Sequence, residues 1–97
     1  MDHSPSPEEF YAKLKQQLEE TSDWPTEYLY KFIIATNEEK ITEIEDIFNN
    51  MGAVIENKKS KNGNYTSVSI NVRMKDPESV IEKYKEVGKK VKGVISL

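Results

Sequence analysis

A few side-chain sets in this chain are of types that can do chemistry. In the run Tyr65-Thr66-Ser67-Val68-Ser69-Ile70-Asn71-Val72-Arg73-Met74, two serines alternate on one polar face with Tyr65, Asn71 and Arg73. A serine beside a lysine is a nucleophile–base pair, and Lys31 on a neighbouring strand would supply the base. Lysine activation needs burial, which a half-open face does not provide. Asn71 and Arg73 on a sheet suit a small phosphate site, but no glycine-rich cradle stands near them. Glu43, Glu45 and Asp46 are metal-ligand types, yet 43 and 45 stand about 200° apart on a helix and cannot chelate together. His3, the one histidine, has no partner at ligand spacing, and the absence of cysteine removes disulfide and thiolate chemistry. These residues predict no catalytic centre, no metal and no cofactor.

The elements that must position these residues follow from periodicity and caps. Residues 1–6 read as a disordered tail. Ser6-Pro7-Glu8-Glu9 starts a helix over about 7–22, with Ser6 as cap, Pro7 at its first position and acids in its first turn. Phe10, Leu14 and Leu18 give that helix a narrow apolar stripe that docks on a sheet or a partner. Pro25 turns the chain into an extended path, with Trp24 as a packing anchor at the strand entrance. The first strand, about 26–35, alternates Tyr28, Tyr30, Phe32 and Ile34 with Leu29, Lys31 and Ile33. Being apolar on both faces, it belongs in the middle of a sheet.

Thr36 or Asn37 caps the next helix, whose face is Ile41, Ile44, Ile47, Phe48 and Met51, with Gly52 as its stop. A lysine-rich strand at 53–59 suits a sheet edge. Ser60-Lys61-Asn62-Gly63-Asn64 contains Asn-Gly, a hairpin signal. The third strand follows with Val68, Ile70, Val72 and Met74 inward. Asp76 caps the last helix at Pro77; Val80, Ile81, Tyr84 and Val87 face the core, and Gly88 is its expected stop. Val94-Ile95-Ser96-Leu97 is a fourth strand. The order α-β-α-β-β-α-β predicts an α+β, ferredoxin-like β-α-β-β-α-β sandwich over residues 23–97. Its antiparallel sheet runs 4-1-3-2, and the N-terminal helix is an addition.

Ninety-seven residues make one domain with a single core. No apolar run approaches the roughly 20 residues of a membrane helix, and Met1-Asp2-His3-Ser4-Pro5 has no signal-peptide pattern, so the expected location is cytoplasmic. The net charge of −3 is divided: residues 1–50 carry twelve acids against four bases, and 51–97 five acids against ten bases. A two-signed chain suits intramolecular complementarity or contacts between copies.

Several of these stretches resemble a known family. They are Trp24-Pro25-Thr26, Tyr30-Lys31, Lys58-Lys59-Ser60-Lys61-Asn62-Gly63-Asn64-Tyr65-Thr66-Ser67-Val68-Ser69-Ile70, and Tyr84 with Gly88. Together they resemble the bacterial YbeD-like domain of unknown function over roughly residues 24–97. The longer N-terminal helix looks like the form in some Bacteroidetes members. The resemblance implies a cytosolic ferredoxin-like domain, similar in shape to ACT regulatory domains and without an established catalytic activity. ACT-type sites favour a glycine at the end of strand one, where this chain has Ala35-Thr36-Asn37.

The polar sheet face, with Lys31, Tyr65, Ser67, Ser69, Asn71 and Arg73, is the candidate surface for a protein partner or small effector. Leu29, Ile33, Tyr65 and Ile55 are its expected apolar content. Its cover would be the N-terminal helix through Phe10, Leu14 and Leu18, a second copy in a homodimer, or a ligand; the helix leads these expectations. An RNA-binding module is the alternative function. It would stack bases on the same face, but Tyr65 is followed by Ser67 and Ser69 where a second ring is needed. Together with the net negative charge, this makes a regulatory or adaptor domain the leading expectation, and not a nucleic-acid binder or an enzyme.

Overall fold

The computed structural model describes residues 6–96. The tail reading of residues 1–5, the reading of His3 and the closing Leu97 lie outside them. Ser6 is the N-cap of α1 (Pro7–Thr21) as expected, its Oγ accepting from the Glu9 amide at 3.2 Å, so the tail stops short of it. The remaining elements are β1 (Thr26–Ala35), α2 (Glu38–Ile47), β2 (Val54–Lys59), β3 (Tyr65–Met74), α3 (Pro77–Lys90) and β4 (Ile95–Ser96). The same capping chemistry starts the other helices. Asn37 Oδ1 accepts from the Lys40 amide at 3.1 Å, and Asp76 Oδ1 from the Ser79 amide at 2.8 Å.

The fold is mixed α+β, with one four-stranded antiparallel sheet in the order β2-β3-β1-β4. Its two long central strands pair over their whole length, from Thr26 opposite Met74 to Ala35 opposite Tyr65. Period-two alternation sends Tyr30, Phe32, Ile34, Val68, Ile70, Val72 and Met74 to one side. There they meet Ile41, Ile44, Ile47 and Phe48, and Val80, Tyr84 and Val87 of α3. Burying a side chain such as Ile44, which is fully covered, stabilises the fold by about 1.5–3 kcal/mol. The centre of this core is aromatic. Tyr30 makes edge-on or tilted contacts with Tyr28, Tyr84 and Phe48, all at centroid distances below 5 Å. The Tyr30 hydroxyl donates to the Val80 carbonyl at 3.0 Å, and the Tyr28 and Tyr84 hydroxyls share a 2.7 Å hydrogen bond.

Lys83 ties the two helices of this layer together. Its Nζ donates to the Ile47 carbonyl at the end of α2 at 3.0 Å, pairs with Glu86 at 3.2 Å, and lies 5.9 Å from the centre of the Phe48 ring. A cation is therefore held at the negative end of the α2 dipole.

Several local expectations are corrected. The packed stripe of α1 is Tyr11, Leu14 and Leu18, whereas Phe10 is 55% exposed. Spacing alone allowed either i, i+4, i+8 or i, i+3, i+7, and the position of α3 selects the second. That helix packs against α3, with Lys85 over the Tyr11 ring and the Trp24 indole N–H donating to the Leu18 carbonyl at 3.1 Å. It lies on the helical side and does not cover the open sheet face. The second helix ends at Ile47, before Gly52, and Asn50 at φ 67° helps turn the chain. Gly88 does not stop α3 but lies inside it, two residues before its end. Among the described residues the fourth strand starts at Ile95, one residue later than expected, because Val94 is not paired into the sheet.

Candidate docking face

The side of the sheet away from the helices is built by the other parity of each strand. Register places Arg73 opposite Glu27, Asn71 opposite Leu29, Ser69 opposite Lys31, Ser67 opposite Ile33 and Tyr65 opposite Ala35. On the other flank, Val54 stands beside Asn71, Glu56 beside Ser69 and Lys58 beside Ser67; on β4, Ile95 stands beside Ile33. The face therefore reads in cross-strand rows: Val54–Asn71–Leu29, Glu56–Ser69–Lys31, and Lys58–Ser67–Ile33–Ile95. All six residues expected to form a surface, Lys31, Tyr65, Ser67, Ser69, Asn71 and Arg73, share this face.

Four of its apolar side chains are open to solvent: Leu29 at 58% exposure, Val54 at 65%, Tyr65 at 53% and Ile95 at 55%. Among the described residues only Phe10 joins them as a large exposed hydrophobic. Ile55, expected here, pairs with Ile70 and packs on the core side, while Val54 takes the outward place. The signal that identifies Val54, Glu56 and Lys58 was present in the hairpin. Ser60 and Tyr65 close a loop of four residues, 61–64, and counting back from that pair sends the even-numbered residues of β2 outward. Within the loop, Asn62 Oδ1 accepts from Ser60 Oγ at 3.0 Å and the Asn64 amide at 3.1 Å, while Ser60 Oγ accepts from the Tyr65 amide at 3.0 Å. Gly63 sits at φ 77°, the left-handed region an Asn-Gly turn needs.

The outward groups of the face are hydroxyls, an amide and charged side chains set among apolar ones. Lys31 lies across from Ser69 and is exposed. Ser67 donates its hydroxyl to the Lys58 carbonyl at 3.3 Å. The displaced acidities are elsewhere. Burial raises the pKa of Tyr30 and of Tyr84 in the core. The Ser79 amide lowers that of Asp76, and hydrogen bonding from Lys90, with help from Lys83, lowers that of Glu86. Glu43 and Asp46 border a depression on the helical side with Glu86 and Lys90, while Glu45 accepts from Asn57 at 3.3 Å. A hollow of about 150 Å³ between Leu29, Val54, Glu56, Ser69 and Asn71 is the relief in the middle of the open face. It is smaller than the roughly 300–1,000 Å³ of drug-sized ligand pockets.

Comparison with curated proteins gave no match, and comparison with solved structures gave none. A family model described as "Protein of unknown function (DUF493)" matches residues 19–95. The match opens in the last turn of α1, takes in β1, β2 and β3 whole and ends at Ile95, the first residue of β4. The chain therefore belongs to the DUF493 family, which includes the YbeD-like domains.

Proposed function

We propose that this chain is a ferredoxin-like docking domain, resembling ACT domains in outline. It acts without catalysis, by binding a protein partner or effector on the open sheet face. The observation that carries the reading is the placement of Leu29, Val54, Tyr65 and Ile95. Four large apolar side chains share one uncovered face, interleaved with Lys31, Glu56, Lys58 and Arg73. Apolar groups scattered among hydrogen-bonding and charged ones are what a protein surface recognises, and clustering of this kind marks interaction sites. The shallow relief favours a protein over a small metabolite.

Amide spectra of isotope-labelled protein test the reading. They are recorded as protein concentration rises, and with metabolite mixtures and single-stranded RNA in separate arms. Perturbed amides are expected within residues 27–33, 54–58 and 65–73. Perturbations confined to α1, α2 or α3, or no perturbation in any arm, would sink it. Salt-sensitive RNA shifts centred on Tyr65 would make the face a nucleic-acid site instead.

A further inference from the structure

We infer that the occupant of the open face is a second copy of this chain, in a two-fold dimer whose axis runs parallel to β3 between two stacked sheets. The inference rests on the docking reading of that face. Its basis is the charge and apolar pattern across the rows. Adjacent strands lie about 4.8 Å apart, so Glu56 and Lys31 stand about that far on either side of Ser69. A two-fold axis along β3 exchanges left and right, laying β2 of one copy over β1 of the other. Glu56 then faces Lys31 of the second copy, and Lys31 faces Glu56. The same operation sets Val54 on Leu29 of the second copy, covering two of the exposed apolar side chains in each chain. Lys58 comes over Ile33, where its methylenes can lie on the apolar surface while the ammonium reaches the rim.

The residues on the axis fit this arrangement. Tyr65, Ser67, Ser69, Asn71 and Arg73 meet their own counterparts, and Arg73 alone of these is charged. Each Arg73 keeps Glu27 beside it in register. Serines at the centre let the sheets approach to the roughly 10 Å of aligned packing. An axis across the strands through Ser69 does not work: it would set Glu56 on Glu56 and Lys31 on Lys31. The self-complementarity therefore selects one symmetry.

Sedimentation velocity over a range of concentrations tests it at low salt. The unsubstituted chain is expected to reach twice its monomer mass. Lys31→Glu and Glu56→Lys should each weaken dimerisation by at least about tenfold through facing like charges, and the double exchange Lys31→Glu/Glu56→Lys should restore it. A chain that stays monomeric overturns the second-copy assignment. Face amides that still respond to another ligand would show the docking reading surviving it. A dimer that ignores both single reversals, or a double variant that does not recover, also overturns the assignment. If a reversal disturbs folding, Ser69→Cys provides a separate measurement, because the natural chain has no cysteine. A short bismaleimide should link Ser69→Cys chains in pairs but not Lys89→Cys chains; no selective linking rejects the axis.

Discussion

Removing the Tyr30 hydroxyl should cost stability at neutral pH and gain it back in alkali. Tyr30 is fully buried and donates to the Val80 carbonyl at 3.0 Å. In Tyr30→Phe that carbonyl keeps its place in the α3 hydrogen-bond ladder, so the loss is one net hydrogen bond, about 1 kcal/mol. Burial raises the Tyr30 pKa in the folded state, with a smaller contribution from Tyr28. The folded chain thus keeps a proton that the unfolded chain loses above about pH 10. Stability from this group is complete below that pH and falls as pH rises toward the raised folded value. The slope approaches about 1.4 kcal/mol per pH unit. At pH 11 the native protein has lost about 1.4 kcal/mol through this residue, and Tyr30→Phe none. The deficit of the variant should therefore vanish a little below pH 11 and reverse slightly at pH 11. Urea unfolding followed by Trp24 fluorescence at pH 7 and pH 11 measures both numbers. A deficit equal at the two pH values would refute the claim that the folded state holds this phenol protonated.

Gly88→Ala should stabilise the domain by about 0.5–1 kcal/mol, because Gly88 lies inside α3 with open space where a Cβ would stand. Gly63→Ala should do the opposite, since φ 77° strains any L side chain; melting curves of the pair check the contrast. Asp76→Ala removes the α3 cap. The Asp76 carboxylate is held below its usual range by the Ser79 amide, so its stabilisation is present above the unfolded carboxylate pKa and lost as pH falls through the folded one. The stabilities of variant and native protein should converge in acid, as a pH series of denaturant titrations would show. Val54→Thr on the open face should change stability by less than about 0.5 kcal/mol while weakening whatever binds there. A larger stability loss would mean that Val54 is a core residue.

Much of the architecture was legible because local signals agreed with one another. Ser6, Asn37 and Asp76 announce their helices through side-chain oxygens, and the alternation from Val68 to Met74 fixes which side of β3 is inward. The two-sided apolarity of β1 placed it centrally. The errors arose where tertiary contact chose between equal local options. Phe10 and Tyr11 are neighbours, and only the position of α3 decides which is covered. Gly88 looks like a stop, but Val87 is fully buried, and its carbonyl receives the Val91 amide at 2.8 Å, carrying the helix past it. Ile55 and Val54 are adjacent, and the pairing register decided which turned inward. For the face itself, β3 and the odd positions of β1, Glu27 and Lys31 among them, were readable from alternation, and Glu56 and Lys58 from the count back through the hairpin, whereas Ile95 needed the pairing of β4. The destination of α1 was not legible, because a three-residue stripe fits a helix as well as a sheet.

In both long strands, even-numbered positions hold the molecule together and odd-numbered ones address the outside. Packing and surface chemistry therefore fall to separate letters of the same ten-residue words. Exchanges at Leu29, Lys31, Ser67, Ser69 or Asn71 change what the face can bind without disturbing the aromatic interior. A library that randomises those outward positions should retain folded members at high frequency. The same two-strand core would then serve as a recognition scaffold whose specificity can diverge faster than its shape.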